Sequence, residues 1–341
     1  MTACAGRVPI IIVTGFLGSG KTTLLNHLLR EPALCDAAVL VNEFGEIGLD
    51  HQWIEAIAQN TVLLASGCVC CTIRDDLRSA VLELQARRAC GAIPPYRRLV
   101  IETTGLADPA PIIATFMSDP ELRYHYRVAL VIATVDAVNG LAQLSTHDES
   151  LKQVAVADRI VITKSDLVEP LSTAKLRQRL TAINPVAEMV IAIGGAVKAE
   201  QLLSGDVDIQ AHRDGEVARW QAAAIGPALP TYSRHADDIS AFAVVVTEPL
   251  DWIAFGIWLT MLLHCHGRKV LRVKGMLQVR GVDVPVVING VQHLVHPPLH
   301  LARWPDHDRR SRIVFIVQGL ARATIEHSLA TFNRCSALIA P

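Results

Sequence analysis

An excess of charge of either sign is missing from this chain. With 32 Lys and Arg against 33 Asp and Glu, its formal net charge is −1, so it has no global basic field for nucleic acid or anionic lipid. Long apolar runs are missing too. The most apolar later stretch, 252–263, is about two-thirds of a membrane span, and it reads as a buried helix of a soluble protein. Met1 to Pro9 is too short for a secretory leader, and the apolar run from Val8 to Val13 stops at Thr14-Gly15 without a small-residue cleavage pattern. A cytoplasmic location is expected, with neither nucleic acid nor membrane as a partner. Internal repeats, low-complexity tracts and a His-rich metal-storage tract are also absent. The eight cysteines, at 4, 35, 68, 70, 71, 90, 265 and 335, do not resemble a disulfide framework, because three are clustered and five scattered. In a cytoplasmic protein such a cluster points to metal or redox chemistry.

What is present is a core-forming chain. Hydrophobic residues make up 51% and charged residues 19% of 341 positions, enough for folding and for two domains. The first two hundred residues alternate short β-branched runs with helical patterns. Strands are expected at Ile10–Thr14, Ala38–Asn42, Thr61–Leu64, Arg98–Glu102, Val128–Thr134, Arg159–Thr163 and Met189–Ala192. Helices are expected at Lys21–Arg30, Arg74–Ala89, Pro109–Ser118 and Leu171–Ile183. Apolar strands without polar alternation, each followed by a helix, predict an α/β fold with a doubly wound, mainly parallel sheet.

The pattern loosens into a linker over 201–238, with a helix expected around Gly215–Ala224. From 239 to 341 the rhythm changes. Strands at Ile239–Thr247, Lys269–Val279, Val284–Val291 and Arg312–Val317, with helices at Asp251–His264 and Ala321–Phe332, predict a smaller α+β domain on an antiparallel sheet. Residues 1–200 form the first domain in this division.

Gly15-Phe-Leu-Gly-Ser-Gly-Lys-Thr22 matches the full phosphate-loop pattern between a strand and a helix. Gly15, Gly18, Ser19 and Gly20 let successive N–H groups converge on phosphates, and Lys21 adds positive charge. Thr22 can ligate Mg²⁺, and Thr23 continues the same helix start. Downstream, Thr163-Lys-Ser-Asp166 also follows a strand. There Asp166 can accept hydrogen bonds from guanine N1–H and the exocyclic amine, whereas adenine would leave the carboxylate badly paired. The stem of Lys164 can pack over the purine. Thr163 stands where Asn is usual, which weakens the expected support of this turn.

Glu102, ending the strand Arg98–Glu102, suits a Mg²⁺-associated carboxylate, and Gly105 with Leu106-Ala107-Asp108 suits a switch that senses the γ-phosphate. Asn42-Glu-Phe-Gly45 and Asp50 lie where a first switch would fall. Glu43 and Asp50 could approach Mg²⁺ or a transported metal there, although an ordinary solvated turn is the competing reading.

Gly67-Cys-Val-Cys-Cys71 is the most distinctive string. At this cysteine content it should arise by chance in roughly half a percent of such sequences. Cys68, Cys70 and Cys71 are soft donors that favour Zn²⁺, Cu⁺ or other late transition metals over Mg²⁺. Three thiolates leave a fourth position for water, Glu43 or a client's ligand, and such an open shell suits transfer. Inert buried cysteines and a redox pair are the alternatives, although adjacent cysteines form strained disulfides. Each of the five motifs begins at the C-terminal end of an expected strand, and in open α/β sheets these ends share the ligand-binding edge. His264-Cys265-His266 is a weaker metal candidate, since positions two apart on a helix face apart. His293, His296 and His300 read as ordinary surface or interdomain residues.

These motifs, in this order, make the chain similar to the CobW-like family of P-loop GTPases, whose relatives include the nickel-insertion GTPases of hydrogenase and urease. Leu271-Arg-Val-Lys-Gly275, Gly290-Val-Gln-His293 and Arg309-Arg-Ser-Arg-Ile-Val-Phe-Ile316 extend the resemblance through the second domain. It implies slow GTP hydrolysis with Mg²⁺, and Zn²⁺ or Co²⁺ held by the Cys-x-Cys-Cys residues for delivery to a client metalloprotein. Lys21, Thr22 and Glu102 are the expected catalytic residues. No Gln follows Gly105, so a client or a second subunit, as in a homodimer, is the expected source of the group that orients water. An ATPase or kinase with incidental cysteines, and a nucleotide-independent metal buffer or sensor, remain the alternatives.

Overall fold

The computed structural model describes residues 6–41, 63–65, 73–203 and 239–339. They fall into two compact units, and the second also takes in Leu180–Val186. The expected helix around Gly215–Ala224 lies outside the described residues.

The first unit runs β1 (Val8–Gly15), α1 (Lys21–Leu28), β2 (Ala37–Val41), β3 (Leu63–Ala65), α2 (Ile73–Ala89) and β4 (Arg98–Glu102). It continues with α3 (Ala110–Ser118), α4 (Pro120–His125), β5 (Tyr126–Asp136), α5 (Gly140–Thr146), α6 (Asp148–Val156) and β6 (Arg159–Thr163), and ends with α7 (Pro170–Ile183), whose last residues from Leu180 count with the second unit, β7 (Glu188–Ala192) and α8 (Ala199–Leu203). Its seven strands pair in the order β3-β2-β4-β1-β5-β6-β7, and every pairing is parallel.

The near-continuous apolar strands follow from burial on both faces. Ile11, Val13, Val39, Val100, Ile132 and Val161 pack with Leu24, Leu25 and Leu28 of α1. Their neighbours Ile10, Ile12, Ile101 and Ile160 are equally buried, and alternate residues of a strand point to opposite faces. Burying an Ile or Val side chain contributes roughly 1.5–3 kcal/mol, so the central strands hold the site's framework in place. Pro9 stays near the start of β1, just ahead of a register shift against β5 between Ile10 and Ile11. There its missing N–H disturbs the ladder least.

The second unit holds an antiparallel sheet, β11 (Leu294–Val295), β10 (Val286–Val291), β9 (Val270–Leu277), β13 (Ser311–Gln318) and β8 (Ile239–Val246), with β12 (Leu299–His300) paired to β10. One sheet face packs on α9 (Trp252–His266) and α10 (Arg322–Ile339) through Val273, Phe315, Trp258, Leu262, Ile325 and Leu329. Asp251 caps α9 by accepting the Ala254 N–H at 2.8 Å.

The 252–263 stretch corrects the sequence-based expectation of a buried helix. Phe255, Trp258, Leu259, Leu262 and Leu263 are buried, but Ile253, Ile257 and Met261 are 72%, 52% and 51% exposed. A helix that lies on one sheet buries only one stripe of its surface, and here the opposite stripe is also apolar. Among the described residues, no helix is long and apolar enough to cross a membrane.

Candidate functional site

The phosphate loop starts where β1 stops. Gly15 has φ 141°, and a Cβ there would overlap Thr134 and lie 2.8 Å from the Ser19 hydroxyl, so only glycine lets the loop turn this tightly. The Ser19 and Thr134 hydroxyls are 2.6 Å apart, which ties the loop to β5. Gly18 and Gly20 have φ of 70° and 91°, backbone that L side chains rarely adopt. Gly20 caps α1, whose first turn carries no acidic side chain, so the positive end of the helix dipole is left for an anion.

Lys21 is 8% exposed, and its Nζ donates to the carbonyls of Gly15 at 3.0 Å and Phe16 at 3.2 Å. The ammonium is thereby held over the loop whose N–H groups would take the phosphates. Thr22 Oγ1 donates to Glu102 Oε1 at 2.7 Å. β4 delivers Glu102 beside α1 because β4 and β1 are neighbours in the sheet. A hydroxyl and a carboxylate this close form a hard-oxygen pair, the donor set that suits Mg²⁺. Thr23 is exposed on the same helix.

Gly105 comes against this loop from the other side. A Cβ on Gly105 would lie 2.7 Å from Leu17 N and 2.7 Å from its Cγ, so any side chain there would push the two segments apart. The segment is held from behind by Gln153 of α6, which is 1% exposed and donates through Nε2 to the carbonyls of Gly105 at 3.1 Å and Ala107 at 3.0 Å. Sequence reasoning missed Gln153. It sits in a helix that the pattern did not announce, 48 residues from Gly105 in the chain, and no motif surrounds it.

Gln153→Leu removes both donors, a loss of about 1–3 kcal/mol at the buried Gly105 carbonyl and less at the half-buried Ala107 carbonyl. Faster amide exchange over Thr103–Asp108 and a lower thermal midpoint are expected. Unchanged exchange there would show that the segment is held by other contacts.

At the far end of the same sheet edge, β6 ends in Thr163 and Lys164 turns the chain with φ 55°. Asp166 is exposed in the turn Ser165–Leu167, where its carboxylate is available to a base. Thr163, where weaker support of this turn is expected, makes a link of its own. Its Oγ1 donates to the Ser19 carbonyl at 2.7 Å, so the hydroxyl links this turn to the phosphate loop. Lys164 Nζ donates to the adjacent Gly18 carbonyl at 2.7 Å. Gly15, Gly18, Ser19, Gly20, Lys21, Thr22, Glu102, Gly105, Thr163 and Lys164 are therefore brought together around one loop.

Glu43, Asp50, Cys68, Cys70 and Cys71 lie outside the described residues. Among the described residues, no group of three His, Cys, Asp or Glu side chains could hold a metal. His264 and Cys265 are exposed and His266 is half-buried. The exposed Cys35, Cys90 and Cys265 are free thiols.

Residues 9–191 match the CobW/HypB/UreG nucleotide-binding domain, and residues 239–333 match the cobalamin synthesis protein cobW C-terminal domain. The chain is 35% identical to the zinc chaperone YjiA of Escherichia coli over 96% of this chain and 99% of that one. It is 30% identical to the zinc chaperone CobW of Pseudomonas aeruginosa over 95% and 91%. A crystal structure of Zn(II)-bound YjiA GTPase from E. coli is similar with a TM-score of 0.68, at 30% identity over 96% of this chain and 99% of that one. With both units matched and a relative 35% identical along nearly its whole length, the chain belongs to the CobW/HypB/UreG family.

Proposed function

We propose that this chain is a GTP-hydrolysing metallochaperone that takes up zinc at Cys68, Cys70 and Cys71 and passes it to a client metalloprotein. The observation that carries this reading is the convergence at one edge of a parallel sheet. The phosphate loop, the Thr22–Glu102 pair at 2.7 Å and the Thr163–Asp166 turn all follow strand ends there. In chain order, the cysteine string begins soon after β3 ends at Ala65 on that edge. The names of its relatives as zinc chaperones support zinc as the cargo, and Co²⁺ is a second candidate for the same soft donors.

In this reading the N–H groups of the phosphate loop and the Lys21 ammonium bind the β- and γ-phosphates, and Asp166 selects guanine. Thr22 and Glu102 would hold Mg²⁺, which when bound neutralises phosphate charge. The Gly105 N–H meets the γ-phosphate, so the segment from Gly105 to Asp108 differs between triphosphate and diphosphate states. Glu43 and Asp50 belong to the first switch, with Glu43 a candidate fourth donor to the cargo metal. A docked client or a second subunit supplies the group that orients water. A hundredfold change in metal affinity between nucleotide states needs about 2.7 kcal/mol of coupling, within reach of the few charge-assisted hydrogen bonds that a γ-phosphate makes and a diphosphate cannot.

The test is a zinc and cobalt titration of the reduced protein, alone and with GTP·Mg²⁺, a non-hydrolysable GTP analogue or GDP. Tight binding with triphosphate alone is expected. Equal affinity in every state would make the chain a metal buffer, and preference for ATP over GTP would refute the assignment of Asp166.

A further inference from the structure

Asp136 belongs to none of the nucleotide motifs, yet it is 1% exposed at the end of β5. Its Oδ1 accepts the N–H groups of Val138 at 2.7 Å and Asn139 at 3.4 Å. Its Oδ2 accepts the Asn139 side-chain amide at 3.1 Å and Lys164 Nζ at 2.7 Å. Burial pushes this carboxyl up, but the bonds from Lys164, Val138 and Asn139 outweigh it and hold it below the usual carboxylate range.

Lys164 is thus gripped twice, by the Asp136 carboxylate and by the Gly18 carbonyl, both at 2.7 Å. Its backbone is strained as well. Among the described residues only Lys164 and Gln292 have positive φ without being glycine, and such a conformation persists where its surroundings enforce it. A buried, fully bonded carboxylate provides that enforcement, because it fixes one end of a four-carbon stem that would otherwise sample many rotamers.

We propose that Asp136 is a positioning residue for the purine nucleotide: it clamps Lys164 between the base-facing turn and the phosphate loop, and so sets the affinity for GTP and GDP alike. The inference rests on the reading of Thr163–Asp166 as the base site. Lys164 meets the purine in both nucleotide states, so the clamp contributes uniform binding. Uniform binding moves KM and Kd and leaves kcat at saturation in place.

The experiment uses the full chain, a fluorescent GDP analogue, GTP and ATP as competitors, and steady-state GTP hydrolysis. Asp136→Asn keeps an oxygen for the Val138 and Asn139 N–H groups and loses the charge that faces Lys164. It is expected to weaken GDP and GTP equally, by about 10- to 100-fold, and to raise KM by a similar factor with kcat within about twofold. Lys164→Met is expected to give a comparable loss, and the double variant no more than the larger single loss, the signature of a coupled pair.

Native affinity in Asp136→Asn, or losses that add in the double variant, would overturn the proposal. So would a fall in kcat without a change in KM. Should Asp136→Asn not fold, Asp136→Glu is read in its place, since one extra methylene displaces the charge. It must also weaken both nucleotides, and Lys164→Met on that background must add nothing. Equal affinity of the unaltered chain for ATP and GTP would refute guanine selection alone. The clamp is then judged on the Kd of either purine nucleotide by the same criteria.

Discussion

Lys21→Ala is expected to lower GTP turnover by about 10²–10³-fold and to weaken GTP binding in parallel. The expectation follows from where the ammonium sits. It is 8% exposed and bonded to the Gly15 and Phe16 carbonyls, at the mouth of a loop that turns on three positive-φ glycines. A preorganised charge in a partly water-excluded site costs no rearrangement when phosphate charge develops, and one such donor is worth about 2.7–4 kcal/mol. Lys21→Arg should rescue little, since a planar guanidinium cannot replace a compact ammonium among the loop carbonyls. Nucleotide-free protein should lose much less, so the thermal midpoint without nucleotide serves as the control. Turnover within threefold of the unaltered chain would show that this loop does not carry the reaction.

Cys70→Ala/Cys71→Ala is expected to abolish tight zinc binding in the GTP state. Removing two of three thiolates should cost at least 10³-fold in affinity, about 4 kcal/mol, because Cys68 alone cannot supply the set of soft donors that zinc prefers. The dependence of zinc affinity on nucleotide should disappear with it, while GDP binding stays close to that of the unaltered chain. Competition against a chromophoric chelator measures the first. Loss of sulfur-to-cobalt absorption in the Co²⁺-loaded variant checks that thiolates were the donors. Full zinc affinity in the variant would assign the metal to other residues and sink the proposed carrier mechanism.

Much of the first unit was legible in the sequence, for a physical reason. Strands buried on both faces must be apolar along their whole length, and such runs show their ends clearly. Arg98–Glu102 and Arg159–Thr163 coincide with the strands observed. The phosphate loop was legible because glycines at fixed offsets between a strand and a helix have few other uses. The short helices α4, α5 and α6 were not foreseen. They are six, seven and nine residues long, too short to be stable without tertiary packing, and their sequences carry little periodic signal.

What the sequence determined by itself was local and periodic: the order of strands and helices, the glycine-rich phosphate-loop motif, the acid at the end of β4 and the soft-donor string at Cys68, Cys70 and Cys71. Tertiary structure decided whatever depends on partners distant in the chain. It joined Thr163 to Ser19 across 144 residues, so a substitution that looked like lost support makes its own link. It joined Asp136 to Lys164 across 28 residues and Gln153 to Gly105 across 48, and it left the apolar stripe Ile253, Ile257 and Met261 of α9 facing outward. Periodicity records which side of an element is apolar. Which neighbour meets that side, and which buried polar group completes a given hydrogen bond, is set only when the sheet brings distant strands together.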